Sequence, residues 1–151
     1  MTSDTTTNPH IVTEEDDLSG HLRTTIGRLY RRFRNERPDG SLGDAALEVL
    51  IFLEKNGPHT LTELSDAAHV APASMSQSVN RLTSGGYAVR TPDAADRRKV
   101  LFSSTPAGAE LSRATRTLRN AWFESKVRSL APQDQEVLAR ASVLLGDIAD
   151  S

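Results

Sequence analysis

Cysteine is absent from the 151-residue chain, and no apolar run is long enough to cross a bilayer. The missing thiol excludes disulfides, thiolate catalysis, zinc–cysteine sites and thiol-based oxidation sensing. A membrane-spanning helix needs about 18 or more apolar residues, and residues 1–17 lack the basic and then apolar order of a signal peptide. We therefore expect a cytoplasmic protein that does not associate with a membrane.

An excess of basic residues is also missing. The 18 lysines and arginines are outnumbered by 20 aspartates and glutamates, so the formal net charge is -2. A nucleic-acid function must then rest on a local cluster of cations and not on the charge of the whole chain. Residues 97–99, Arg-Arg-Lys, form such a cluster. Three adjacent cations repel one another and add nothing to a core, so their placement points to a partner.

Patterns for catalysis or metal binding are missing as well. His10, His21, His59 and His69 are scattered, and no H-x-x-x-H spacing occurs. The sequence has no nucleophile elbow, phosphate-binding glycine loop or dinucleotide fingerprint. We expect no catalytic residue, no metal, no cofactor and no enzymatic activity.

The hydrophobic periodicity predicts the order helix, helix, helix, helix, hairpin, helix, helix. Residues 1–13 are polar and threonine-rich, which predicts a flexible tail. Thr60 and Glu63 have the spacing of a capping box, in which the two residues satisfy each other's free donors at the start of a helix. The predicted helices cover residues 14–38, 44–55, 61–68, 72–84, 106–129 and 132–150, and the hairpin covers residues 87–104.

A short helix, a tight turn at residues 69–71 and a helix with a polar face predict a helix-turn-helix. The basic hairpin directly after it makes the arrangement winged. A helix fits the major groove of DNA, where Ser, Gln, Asn and Arg side chains match base edges. An arginine-bearing hairpin tip can reach a narrow minor groove, and phosphate contacts fix the register.

Residues 61–108, LTELSDAAHVAPASMSQSVNRLTSGGYAVRTPDAADRRKVLFSSTPAG, resemble the MarR (multiple-antibiotic-resistance) family of bacterial transcriptional regulators. The matching features are Arg81-Leu82, two glycines, a strand ending in arginine, D-x-x-D-R-R and Thr-Pro-x-Gly. The flanking helices match in number and length, so the resemblance covers about residues 16–150. Ala94-Ala95 departs from the pattern, because charged residues are common there.

The resemblance implies a mainly α fold with a small β-hairpin wing, built as a winged helix-turn-helix plus a helical dimerisation region. The winged domain would be residues 42–105, and the dimerisation region residues 14–38 and 106–151. The implied function is a homodimeric, sequence-specific regulator, more often a repressor, that binds double-stranded DNA at an inverted repeat. The family often responds to a small aromatic or anionic effector, although no residue here shows that this chain has one.

The predicted site residues follow from the same resemblance and from the chemistry of their side chains. Asp96, or with less support Asp93, would hold a wing arginine by a salt bridge, and either Arg97 or Arg98 would enter the minor groove. Arg90 would lie at the base of the wing near phosphate. The predicted DNA-binding residues are Thr62, Ala73, Ser74, Ser76, Gln77, Asn80, Arg81, Arg90, Arg97, Arg98 and Lys99.

Other interpretations stay open at this point. A charge run is often only a solvated surface, and a winged helix can bind protein instead of DNA or serve as an enzyme scaffold. The arginines of the first helix fit solvation or intersubunit salt bridges as well as they fit DNA. The apolar stripes of the first and last helices indicate core, much of it between subunits. Trp122 indicates core or interface, with a ligand cavity as a further alternative.

Overall fold

The computed structural model describes residues 14–40 and 42–151, and the predicted tail at residues 1–13 lies outside them. The chain divides after Asn35 into two compact units. The first unit contains α1 (Glu14–Arg34). This helix ends at Arg34, four residues before its predicted end at Pro38. Its apolar side chains follow a helical spacing and are largely exposed, as at Leu18 and Ile26.

The second unit begins with three helices that enclose a small core. They are α2 (Asp44–Asn56), α3 (Leu61–Ala68) and α4 (Pro72–Ser84), all at the predicted positions. Each contributes one apolar face, and the buried side chains include Leu47, Leu50, Leu53, Leu64, Met75, Val79 and Leu82. The close packing of these faces fixes the orientation of α4, whose opposite face is therefore turned to solvent.

A three-stranded antiparallel sheet completes this core. The predicted hairpin is present as β2 (Ala88–Pro92) and β3 (Val100–Ser104). A short strand that the sequence analysis did not predict, β1 (His59–Thr60), pairs with the other side of β3, so the order is β1-β3-β2. Two residues carry too little periodicity to be recognised as a strand. β1 ties the start of α3 to the wing.

The start of the helix α5 (Pro106–Arg128) is hydrogen-bonded to the turn between α4 and β2 through Thr105, and we call these hydrogen bonds the Thr105 clasp. Thr105 caps it, since its hydroxyl accepts from the Gly108 backbone N–H at 3.1 Å and donates to the Gly86 carbonyl at 2.6 Å. The Thr105 backbone N–H donates to the Tyr87 carbonyl at 3.0 Å. These bonds give the Thr-Pro-x-Gly motif a physical role, because they lock the start of α5 against the turn between α4 and β2.

We expect Thr105→Val to lower the free energy of unfolding by about 1–2 kcal/mol, because valine keeps the shape and loses the cap and the bond to Gly86. Thr105→Ser keeps the hydroxyl and serves as the matched control. Chemical denaturation of both variants measures the difference. Equal stabilities for the valine and serine variants would show that the clasp contributes nothing.

The contact between α5 and α2 includes an ion pair and buried polar side chains. Arg119 is buried and its Nη1 lies 2.9 Å from Glu48 Oε1. Ser112 and Thr115 lie on the same face of α5 and are fully buried, and the Thr115 hydroxyl donates to the Leu111 carbonyl at 2.8 Å. This face seats the long helix on the winged core with an ion pair and short side chains.

The last helix, α6 (Pro132–Ala149), has no buried residue in the single chain. Its apolar stripe is present at the predicted spacing, yet Val137, Leu144 and Ile148 are exposed by 53%, 64% and 67%. The stripe is therefore not part of the core of one chain, which corrects that half of the prediction. Its other half, burial between subunits, stays a prediction.

Candidate nucleic-acid interface

The turn between α3 and α4 is closed by a left-handed residue. His69 has φ 51°, and its backbone N–H donates to the Asp66 carbonyl at 3.2 Å. The Val70 N–H donates to the Ser65 carbonyl at 3.1 Å, and Pro72 starts α4 at a position where a missing N–H costs nothing. The chain thus passes from α3 to α4 through a turn of three residues, as in a helix-turn-helix.

The face of α4 opposite the core carries short hydrogen-bonding side chains. Met75, Val79 and Leu82 are buried beneath it. The predicted contact residues of this helix are on its surface: Ser76 is half-buried, and Ala73, Ser74, Gln77, Asn80 and Arg81 are exposed. Such amide and hydroxyl groups can donate to and accept from the edges of bases.

The tip of the wing is shaped by two aspartates with different tasks. The Asp93 carboxylate accepts from the backbone N–H of Ala95 at 2.7 Å and forms the turn. The Asp96 carboxylate accepts from Arg98 through Nε at 3.1 Å and Nη2 at 3.3 Å, and also from its backbone N–H at 3.1 Å. Asp96 therefore forms a salt bridge with Arg98. The alternative residue, Asp93, instead accepts a hydrogen bond from the backbone.

The charges at the tip follow from this geometry. The hydrogen bonds from Arg98 lower the pKa of Asp96, so its carboxylate is ionised at neutral pH. The Arg98 side chain nevertheless remains 91% exposed. Arg97 is exposed and makes no hydrogen bond or ion pair with the residues that the structure describes. One arginine of the tip is therefore braced and its neighbour is free to turn.

A groove of about 750 Å³ separates the start of α3 and the face of α4 from the wing. We call it the interface groove. Six predicted site residues line it, namely Thr62, Ser76, Asn80, Arg90, Arg98 and Lys99, together with Thr60, Leu61, Glu63, Val79, Val100 and Phe102. Residues distant in sequence thus form one surface that combines polar, cationic and apolar side chains with a single carboxylate.

Arg90 is held over the floor of the interface groove by an aromatic ring. It faces Phe102 across the β2–β3 ladder, and its Cζ lies 5.5 Å from the centroid of that ring. A guanidinium over a ring face is attracted by the negative π cloud and loses little of its hydrogen-bonding capacity. Phe102 itself is buried. The core thus positions a cation at the base of the wing.

Five of the predicted DNA-binding residues do not line the interface groove. Ala73, Ser74 and Gln77 lie on the exposed face of α4 beyond it, and Arg97 is at the tip of the wing. Arg81 is directed elsewhere, because its Nη1 lies beside Gly43 at the start of α2. Its guanidinium therefore lies outside the interface groove.

Sequence reasoning missed the one carboxylate of the groove lining. The sequence predicts Glu63 only as half of a capping box, and the structure confirms that box: the Glu63 Oε2 accepts from the Thr60 backbone N–H at 2.8 Å and from the Thr60 hydroxyl at 2.9 Å. The position of Glu63 across from the wing depends on β1, which the sequence did not reveal.

Two other kinds of site find no support in the described residues. The described residues contain no group of three or more His, Asp or Glu side chains that could hold a metal ion. Among the helices of residues 14–40 and 42–151, none combines the length and apolar character that a membrane crossing needs.

Known proteins resemble this chain over most of its length. A model of the MarR family matches residues 41–99. An HTH-type transcriptional regulator of Mycobacterium leprae is 29% identical over 133 residues, which are 88% of this chain and 93% of the relative. The HTH-type transcriptional repressor NicR of Pseudomonas putida is 33% identical over 107 residues, which are 68% of this chain and 64% of NicR.

A solved structure agrees with the fold. That of Bordetella bronchiseptica BpsR, whose DNA binding is regulated by 6-hydroxynicotinic acid, has a TM-score of 0.68 and 26% identity, and the match covers 95% of this chain and 99% of BpsR. The helix-turn-helix, the wing and its flanking helices, together with the family match, lead to one conclusion. The chain belongs to the MarR family of winged helix-turn-helix transcriptional regulators.

Proposed function

We propose that this regulator is a cytoplasmic homodimer that binds an inverted-repeat operator sequence-specifically and acts as a ligand-responsive repressor without enzymatic activity. The observation that carries the DNA-binding part is the interface groove, where the hydroxyls and amides of α3 and α4 face the cations of the wing. Base-reading and phosphate-binding groups on one surface are what a duplex requires. The repressor assignment is supported by the name of NicR.

Each part of the surface has a task in this proposal. The exposed face of α4 would enter the major groove, with Gln77 and Asn80 reaching base edges. A backbone strand would run along the interface groove, where Arg90 and Lys99 meet its phosphates. The wing tip would reach the adjacent minor groove. Arg98 is oriented in advance by Asp96, so it loses less freedom on binding than an unbraced side chain.

The helices outside residues 42–105 would form the dimer. The stripe of α6 leaves Val137, Leu144 and Ile148 exposed by 53%, 64% and 67%. Leu22 and Leu29 of α1 are exposed by 37% and 43%. Apolar surface exposed to this extent is rare on a monomer and marks an interface. We therefore assign residues 14–38 and 106–151 to dimerisation.

We expect Leu144→Glu to convert the dimer to monomer, because the substitution buries a charge where a second copy would pack. Ala139→Glu is the matched control, since Ala139 is exposed and lies on the opposite side of α6. Sedimentation of both variants measures their masses. A Leu144→Glu protein that remains dimeric would remove α6 from the proposed interface.

The effector part of the proposal is supported by BpsR, whose DNA binding responds to 6-hydroxynicotinic acid. A ligand that binds one arrangement of the two winged lobes better than the other shifts the population and changes DNA affinity by linkage. Titrating the protein–DNA complex with a panel of small aromatic carboxylates tests this part. Unchanged DNA affinity with every compound would leave this chain without an effector of that class.

Selection of duplexes from a random pool tests the proposed operator. The protein should enrich one sequence with two inverted half-sites about 10 base pairs apart, which places the two recognition helices about 34 Å apart on one side of the duplex. A pool without any enriched sequence would contradict sequence-specific binding. Enrichment of a single half-site would contradict the dimer on DNA.

A further inference from the structure

We propose that Glu63 is a specificity-determining residue of the DNA interface: its fixed negative charge disfavours DNA in any register other than that of the operator. This inference rests on the proposed function, since it concerns how the interface groove distinguishes one duplex from another. Specificity can come from penalties against wrong partners as well as from contacts to the right one.

The position of Glu63 makes it the exception in the interface groove. Its lining carries three cations, Arg90, Arg98 and Lys99, and a single carboxylate, Glu63. Asp96 is not part of the lining and is bound to Arg98. A surface that only had to attract phosphate would gain from leaving the carboxylate out, because every negative charge there opposes the backbone.

Hydrogen bonds to Thr60 hold the carboxylate in one orientation. Its Oε2 accepts two hydrogen bonds from Thr60, at 2.8 Å from the backbone N–H and 2.9 Å from the hydroxyl. The Thr60 hydroxyl in turn accepts from the Glu63 backbone N–H at 3.3 Å. The same hydrogen bonds, with His59 and Lys99 nearby, lower the pKa of Glu63, so the charge is present at neutral pH.

A fixed charge penalises DNA according to where the phosphates lie. In the operator complex, base contacts from α4 fix the register, so every phosphate has one distance from Glu63. In non-specific complexes the duplex is held by phosphate attraction alone and slides, which brings phosphates past the carboxylate. The penalty then falls mainly on non-specific binding, and its removal should strengthen that binding.

Glu63→Gln tests the proposal with little structural change, because glutamine also completes a capping box. The probes are a random duplex of about 30 base pairs, which is long enough to span two positions one helical turn apart, and a duplex of the same length that wild-type protein enriches from a random pool. Coulomb repulsion at about 6–7 Å in water predicts a gain of about threefold per subunit for random DNA, or about tenfold for a dimer. Affinity for the enriched duplex should change less than twofold.

Glu54→Gln is the matched control, because it removes the same charge from α2 outside the interface groove. It should leave both affinities unchanged, and thermal unfolding of both variants confirms their folding. An equal gain on random and enriched DNA, or no gain on either, would overturn the role of Glu63 while the DNA-binding function stands. A wild-type protein that binds neither duplex would instead contradict the proposed function itself.

Discussion

Replacing Gly108 with alanine is expected to lower the free energy of unfolding by about 3 kcal/mol, at the upper end of the range for overpacking. A Cβ at this position would lie 2.0 Å from the Tyr87 carbonyl oxygen and 2.9 Å from Leu50 Cδ1. The first of these atoms belongs to the backbone and cannot rotate away. Relief therefore requires α5 to move off the turn that Thr105 clasps, which would also strain the caps of the helix.

The expected sign is opposite to what helix propensity alone predicts. Alanine is favoured over glycine inside a helix by about 1 kcal/mol, and Gly146→Ala provides the control for that term. A Cβ at Gly146 would meet no atom within 4 Å, so this variant should be slightly more stable than wild type. For a chain of this size, 3 kcal/mol corresponds to a fall of about 6–12 °C in Tm. A Gly108→Ala protein as stable as wild type would show that α5 is not packed as described.

Replacing Arg97 and Arg98 together with alanine should weaken DNA binding by about 1–3 kcal/mol for each wing. The physical reason is the loss of two exposed cations at the tip of the hairpin, one free and one braced by Asp96. Each arginine that neutralises a phosphate contributes about 0.9 to the slope of log affinity against log salt. The double variant should therefore bind with a shallower salt dependence, measured by titration at several salt concentrations.

The matched control is Arg113→Ala with Arg116→Ala, which removes two exposed cations from α5 outside the interface groove. It should retain both the affinity and the slope of the wild type. An unchanged slope in the Arg97 and Arg98 double variant would contradict the role of the wing. The two single variants then separate the arginines, and we expect Arg98→Ala to have the larger effect because Asp96 orients that side chain in advance.

Much of the fold could be predicted because local signals agree with the tertiary structure. Helical spacing, the capping box of Thr60 and Glu63 and the proline at the start of α4 each act within a few residues, and all three occur as predicted. The sequence did not predict that α1 ends at Arg34. Pro38 marks the last position that the helix could reach, and the helix ends before it. The strand β1 was missed because two residues carry no periodicity.

The interface groove depends on contacts that no local pattern encodes. β1 pairs with β3 across about forty residues of sequence, and this pairing places Glu63 opposite Lys99 and Arg98. The polar spacing of α4 predicted its exposed face correctly, yet it could not show that Arg81 lies beside Gly43 instead of in the groove. The contact of Gly108 with the Tyr87 carbonyl likewise explains a motif glycine that the sequence only matched by resemblance.

Binding to the DNA upstream of the gene for this protein, compared with random DNA of equal length, tests the central claim most directly. Both duplexes are titrated at several salt concentrations, because an affinity without its salt dependence cannot be interpreted. The account predicts tight, salt-sensitive binding that prefers the upstream DNA, together with loss of that preference in Gln77→Ala or Asn80→Ala. Equal affinity for the two duplexes at every salt concentration, unaffected by either substitution, would contradict the assignment of α4 as the element that reads this DNA.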